Sequence, residues 1–328
     1  MSEFKRDLQA LADAIETLLL ELLPAGGGPS TSQFPLTAPV PLTSQVPLTS
    51  QAPEAPQASM APQARLHEAM RYATLDGGKR LRPFLVAAGA RLFDVPEHRA
   101  LRVGVAIELI HSYSLVHDDL PAMDDAATRR GRPSCHAAFD DATAVLAGDA
   151  LQSLAFEVLS SEATHPDPAV RIELVRVLAK AAGAAGMCGG QMIDLEAETK
   201  QLGFEQTVML QRLKTGALFR FASESGAVLG RASTPEQAAL AAYADDLGLA
   251  FQIKDDLLDV QGDPALAGKA LGQDAEAGKA TLVALLGVDE AENRLTELQA
   301  SALHHLERFG AAAGPLRQLF AFAIGRSH

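Results

Sequence analysis

A chain of 328 residues that is 48% apolar and 21% charged has a globular composition and is long enough for a deep core. Its 41 acidic against 28 basic side chains leave a formal charge of −13, which excludes broad binding to nucleic acid, because that requires a basic surface. Two cysteines, Cys135 and Cys188, are too few for a disulfide framework or a four-thiolate zinc site and suit a reducing, cytoplasmic setting.

Residues 1–23 read as an amphipathic helix of the main body, with Leu8, Leu11, Ile15, Leu18, Leu19 and Leu22 at helical spacing. Glu3, Asp7, Asp13, Glu16 and Glu21 interrupt any signal-peptide core, and no later run reaches ~18 uncharged apolar residues, so no membrane span is expected. Residues 24–64 differ in kind. They hold nine of the 18 prolines and one charge, Glu54, and Pro35, Pro41, Pro47 and Pro53 recur every six residues. Such a stretch has little to bury and reads as a disordered proline-rich insertion, or as a proline-rich ligand motif.

From residue 65 to 328, Ala, Leu, Glu and Val recur with a 3.6-residue period and few alternating runs, predicting an all-α body of roughly ten or more helices around a central cavity. Breaks are expected at Asp76-Gly77-Gly78, Asp94 to Glu97, Leu120-Pro121, Arg130 to Pro133, His165 to Pro168, Gly189-Gly190 and Gly262 to Gly278, with a helix start at Thr234-Pro235.

Two acidic clusters close apolar helices: Asp118, Asp119, Asp124 and Asp125 after VGVAIELIHSYSLV, and Asp255, Asp256 and Asp259 in FQIKDDLLD. Negative charge at a helix C-terminus opposes the helix dipole, so a cation should compensate it. One such cluster could be a solvated helix end. Two, in one helical chain, suit Mg²⁺ bound by hard carboxylate oxygens and completed by substrate phosphates. Lys79 and Arg82 in GGKRLRP, Arg129 and Arg130 after the first cluster, and Lys214, Lys269 and Lys279 supply the matching cations. Together these residue types specify a diphosphate substrate, or two.

With GGKRLRP, HSYSLVHDDLPAMDD, RRGRPSCH, AGDAL, GGQMIDLE, KTGALF and FQIKDDLLD in this order, the chain resembles the polyprenyl synthase family, on its bacterial, farnesyl-forming branch. The resemblance runs from about Arg65 to the C-terminus. It implies an all-α fold, a cytoplasmic homodimer and three Mg²⁺ ions. The implied reaction is condensation of isopentenyl diphosphate with dimethylallyl and geranyl diphosphate to give farnesyl diphosphate. A geranylgeranyl product, or a non-catalytic prenyltransferase subunit, is the alternative. Carried over by position, Asp118, Asp119, Asp124, Asp255, Asp256 and Asp259 are metal residues. Lys214, Lys269 and Arg129 are catalytic, and with Thr215, Gln252 and Lys279 they bind the allylic diphosphate. Lys79, Arg82, His111 and Arg130 bind isopentenyl diphosphate, Gln191 and Asp194 line the cavity, and Tyr113 and Ser114 set chain length. The chain departs from the family pattern at Ala126-Ala127, where further acids are usual, at Gln273, and at Leu282-Val283.

Overall fold

In a computed structural model that describes residues 3–25, 62–75, 77–197, 199–261 and 281–326, the first predicted helix is α1 (Glu3–Leu22), with Phe4, Leu8, Leu11, Ile15 and Leu19 turned inward. Most of the proline-rich stretch lies outside the described residues. Its last residues do not: α2 (Pro62–Thr74) begins at Pro62, because proline's fixed φ and missing donor suit the first helical position. Three residues assigned to the insertion therefore belong to the helical body.

The rest of the order is α3 (Leu81–Arg91), α4 (Glu97–Asp118), a two-strand hairpin of β1 (Thr128–Arg129) and β2 (Arg132–Pro133), α5 (Cys135–Ala138), α6 (Asp141–Ser160), α7 (Pro168–Ala182) and α8 (Met187–Ala197). Then come α9 (Phe204–Gln211), a π-helical turn (Arg212–Gly216), α10 (Ala217–Leu229), α11 (Thr234–Gln261), α12 (Leu282–Leu286), α13 (Val288–His305), a 3₁₀ segment (Glu307–Ala313) and α14 (Gly314–Ile324). The fold is all-α, as expected. Short side-chain caps start several helices. Asp140 accepts from the Thr143 N–H at 2.7 Å and Asp167 from that of Ala169 at 2.8 Å, while Glu236 reaches back to the Ser233 N–H at 2.8 Å.

The chain wraps around α4, whose residues from Ala100 to Val116 are mostly buried on every side. It packs chiefly on α6 and α3, while α10 bridges α3 and α11, and α13 covers α11. Each fully buried Leu, Ile or Phe of this core contributes about 1.5–3 kcal/mol relative to exposure. Tyr243, fully buried on α11, satisfies its hydroxyl by donating to the Leu316 carbonyl at 2.8 Å. By length and mean hydropathy α6 is apolar enough to cross a membrane. Here Ala144, Ala147, Leu151, Ala155 and Leu159 are buried in the protein.

The expected break from Gly262 to Gly278 lies outside the described residues, and another expected break is absent. Gly189 and Gly190 lie inside α8, and what requires Gly190 is packing: a Cβ there would stand 2.2 Å from the backbone N of Lys214.

Candidate active site

Asp118 is the last residue of α4 and Asp119 its cap, and the chain then turns so that the Asp124 N–H donates to the Asp118 carbonyl at 2.9 Å. The first acidic run is thus folded back over the helix end. Burial, with Asp124 and Asp119 nearby, pushes the Asp118 carboxyl up to about 6 against the opposing pull of Lys214 and Arg129. Asp119 is nearly sealed from solvent and held in a bidentate grip, Arg129 Nε lying 3.0 Å and 3.2 Å from its two oxygens. Arg129 reaches it from the hairpin, whose two-residue turn has positive φ at both Arg130 (54°) and Gly131 (74°), the pattern a primed turn demands.

Across the cavity, the π-helical turn presents Lys214 and Thr215. Such turns widen one helical repeat and are frequent at functional sites. This one is pressed between two backbones, Gly190 of α8 on one side and Gly248 of α11 on the other, where a Cβ would lie 3.0 Å from Gly216 Cα. Lys214 Nζ donates to Asp194 Oδ2 at 2.5 Å. The Thr215 hydroxyl donates to Gln252 Oε1 at 3.4 Å, and Gln252 Nε2 donates to Asp256 Oδ1 at 3.0 Å. The other Asp256 oxygen accepts the Leu282 N–H at 2.8 Å. The KTG turn, the second acidic run and the start of α12 are therefore one bonded unit. Asp256 and Asp259 are buried, whereas the Asp255 side chain is 43% exposed and pairs with Arg326 Nη1 at 2.9 Å.

Two contiguous cavities lie between these walls. One, of about 240 Å³, is lined by Lys79, Arg82, His111, Arg130 and Arg326 among others. It is strongly cationic. Arg82 stacks on Phe219 (4.9 Å) and Arg326 on Phe251 (3.8 Å), the two rings themselves 5.3 Å apart. Arg82 Nε is buried with no hydrogen-bond partner, a donor suited to an anion. The Arg130 guanidinium lies along Gly77 and Gly78, where a Cβ at Gly77 would stand 2.6 Å from Nη1, and Gly78 has φ 85°, a left-handed conformation that favours glycine. Burial, then the charges of Arg82 and Arg130, hold His111 well below the usual imidazole range, so it enters this pocket neutral.

The other cavity, about 600 Å³, shares Arg82 and His111 with the first. Asp118, Lys214, Thr215 and Gln191 stand at its polar part, and Tyr113, Ser114, Leu115, Met187, Cys188 and Leu218 line its apolar part. Its size is that of a small-ligand site.

The structure thus brings together most of the residues picked from sequence. Arg129 lines neither large cavity; its guanidinium is engaged by Asp119. Lys269, Lys279 and Gln273 lie outside the described residues. Sequence reasoning missed Arg326, a lone cation near the C-terminus with no motif around it. It also missed Arg80, whose side chain is 2% exposed and donates to Glu108 (2.6 Å), Glu16 (2.8 Å) and the Thr74 carbonyl (2.8 Å). Among the described residues no three His, Cys, Asp or Glu side chains form a ready-made metal cage. An all-carboxylate set, with one member destabilised as an anion by burial, fits a hard divalent cation that arrives with phosphate oxygens and shares them.

A family model described as polyprenyl synthetase matches residues 63–310. The chain is 48% identical over 247 residues to the farnesyl diphosphate synthase of Escherichia coli, spanning 74% of this chain and 81% of that one. Among solved structures, it is similar to an FPP/GFPP synthase from Zymomonas mobilis, with TM-score 0.80 and 45% identity over 98% of each chain. It is also similar to a geranyltransferase from Helicobacter pylori complexed with magnesium and isoprenyl diphosphate, with TM-score 0.73 and 29% identity over 99% of this chain and 97% of that one.

Proposed function

We propose that this chain, which belongs to the polyprenyl synthetase family, condenses isopentenyl diphosphate with dimethylallyl and then geranyl diphosphate to release farnesyl diphosphate. The observation that carries this reading is the shared border of a cationic pocket and an apolar cavity with Tyr113 in its lining. A diphosphate bound in the first would lie beside an allylic chain held in the second.

Three Mg²⁺ ions, held by Asp118 and Asp124 and by Asp255, with Asp119, Asp256 and Asp259 in support, would neutralise the leaving diphosphate so that the allylic C–O bond can ionise. Lys214 adds a fixed positive charge at that diphosphate, its ammonium oriented by Asp194. Arg129, Thr215, Gln252, Lys269 and Lys279 take the same substrate's oxygens. Lys79, Arg82, His111 and Arg130 orient isopentenyl diphosphate, and Arg326 joins them from the C-terminal segment. Leu115, Met187 and Leu218 keep water from the allylic cation, leaving the alkene as its nucleophile. The departed diphosphate takes the proton: of the two histidines that line the cavity, His111 stands among the cations of the neighbouring pocket and His117 Nε2 is 3.1 Å from the Val145 carbonyl.

Incubation with Mg²⁺, labelled isopentenyl diphosphate and geranyl diphosphate, followed by chromatography, tests the reading. Farnesyl diphosphate is expected; absence of incorporation would falsify the synthase, and a geranylgeranyl main product would replace the farnesyl assignment.

We assign a cytoplasmic homodimer. Its interface includes the part of α6 that carries Leu146, which is 56% exposed. Light scattering should give a dimer for the native chain and a monomer for Leu146→Glu; an unchanged mass would move the interface elsewhere.

A further inference from the structure

Tyr113 is not a free-standing ring in the cavity. Its hydroxyl lies 3.6 Å from Cys188 Sγ on α8, with the Gln152 side chain of α6 nearby. Its ring meets His117 edge-on, with centroids 5.7 Å apart and planes at 76°. His117 is fixed in turn. Its Nε2 is 3.1 Å from the Val145 carbonyl, and its ring fills a notch at Gly148, where a Cβ would stand 2.1 Å from that nitrogen and 2.5 Å from Cδ2. The phenol is thereby clamped by two helices: α6 supplies the notch and the acceptor, and α8 supplies the thiol.

We propose that Gly148 and Cys188 are specificity-determining residues for product length, acting through the stiffness of this clamp. The inference rests on the prenyl-elongating reading above. A tyrosine stops a growing chain only if it stays in place when the chain presses on it. An isolated side chain has several staggered rotamers and can swing aside. Here a swing loses the edge contact to His117, which alone biases a conformer ratio roughly three- to tenfold, together with the hydroxyl contacts to Cys188 and Gln152. The notch at Gly148 keeps the His117 ring where that contact exists. Gly148 is not in the cavity lining, so its influence passes through His117, which lines the cavity beside Tyr113.

Two substitutions perturb the clamp from opposite ends. Gly148→Ala pushes the His117 ring out of its notch, and Cys188→Ala removes the group facing the hydroxyl. Cys188→Ser keeps a hydrogen-bonding atom at the same place. The measurement is the ratio of geranylgeranyl to farnesyl diphosphate formed from geranyl diphosphate at fixed isopentenyl diphosphate, with Tyr113→Ala as the reference for a lost floor. We expect the ratio to rise about tenfold for Gly148→Ala, equivalent to ~1.4 kcal/mol, to rise similarly for Cys188→Ala, and to return to near the native value for Cys188→Ser. General loosening of the fold would lower turnover and leave the ratio unchanged. Unchanged ratios in both alanine variants would overturn the clamp while leaving the synthase assignment intact; if Gly148→Ala does not fold, the Cys188 pair decides alone. Failure of the native chain to elongate any primer would instead remove the reading on which the clamp depends.

Discussion

Replacing Arg80 by methionine should destabilise the protein by about 3 kcal/mol and weaken the isopentenyl site together. The guanidinium is 2% exposed and ties α1, α4 and the end of α2 through Glu16, Glu108 and the Thr74 carbonyl. Removing one partner of a buried pair typically costs ~3–5 kcal/mol, because the remaining charge is left desolvated. The lower end applies here, since Arg82 and Arg130 also act electrostatically on Glu108's surroundings. A second term has the opposite sign. Arg80 has φ 48°, a left-handed conformation that costs a non-glycine residue ~1–2 kcal/mol. Arg80→Gly would recover that strain and should be less harmful than Arg80→Met. In thermal unfolding followed by circular dichroism, Arg80→Met should lower Tm by roughly 6–10 °C. Arg80→Met/Glu108→Met should regain more than half of the loss, because an apolar pair of similar volume has no charge to desolvate. Since Arg80 sits between Lys79 and Arg82, the KM for isopentenyl diphosphate should rise about tenfold, more than that for geranyl diphosphate. A Tm within ~1 °C of the native value, or an Arg80→Gly variant more stable than the native protein, would refute the reasoning.

Gly190→Ala places a methyl group 2.2 Å from the Lys214 nitrogen and should cut kcat about a hundredfold, as expected for a displaced catalytic group; activity within threefold of native would show that the π-helical turn can move freely. His111 is held neutral well below its ordinary pKa by burial and then by its arginine neighbours. The unfolded chain takes up a proton here below about pH 6.5 and the native one does not. Stability should therefore fall as pH drops from about 6.5 towards the native pKa, by up to ~1.4 kcal/mol per pH unit. His111→Gln should remove that slope in urea titrations at stepped pH. Arg326→Ala should raise the KM for isopentenyl diphosphate several-fold with little change in the geranyl diphosphate KM, and equal effects on both would place its role at Asp255 instead.

Sequence revealed the chemistry better than its arrangement. Acidic residues at the ends of apolar helices and the GGKRLRP loop are local patterns, and both stand where their spacing suggests. Gly189-Gly190 reads as a break because each glycine costs a helix ~1 kcal/mol relative to alanine, yet the contact with Lys214 that selects Gly190 comes from a segment more than 20 residues away. Proline at the start of α2 suggested linker by composition, although the first helical position tolerates it. Arg129 shows the limit most clearly. Its position beside an acidic run is visible in the sequence, but whether it meets substrate or Asp119 depends on the hairpin that carries it. Arg326 reaches its pocket through tertiary packing alone, stacking on a phenylalanine 75 residues earlier in the chain.

The glycine contacts around the π-helical turn bear on how such an enzyme can diverge. Every amino acid other than glycine brings a Cβ, and at Gly190 it would stand 2.2 Å from a backbone nitrogen, so no substitution there can reshape the spacing in small steps. Mutation there is an all-or-nothing trial. Tyr113 and Cys188 differ, because they line an open cavity, where on the proposed reading a change of side-chain size alters the depth available to a hydrocarbon tail. On the proposed reading, the bond-breaking end of the catalyst at Lys214 is therefore closed to gradual variation while the hydrocarbon end is open to it, and descendants of this chain would acquire new product lengths well before new chemistry.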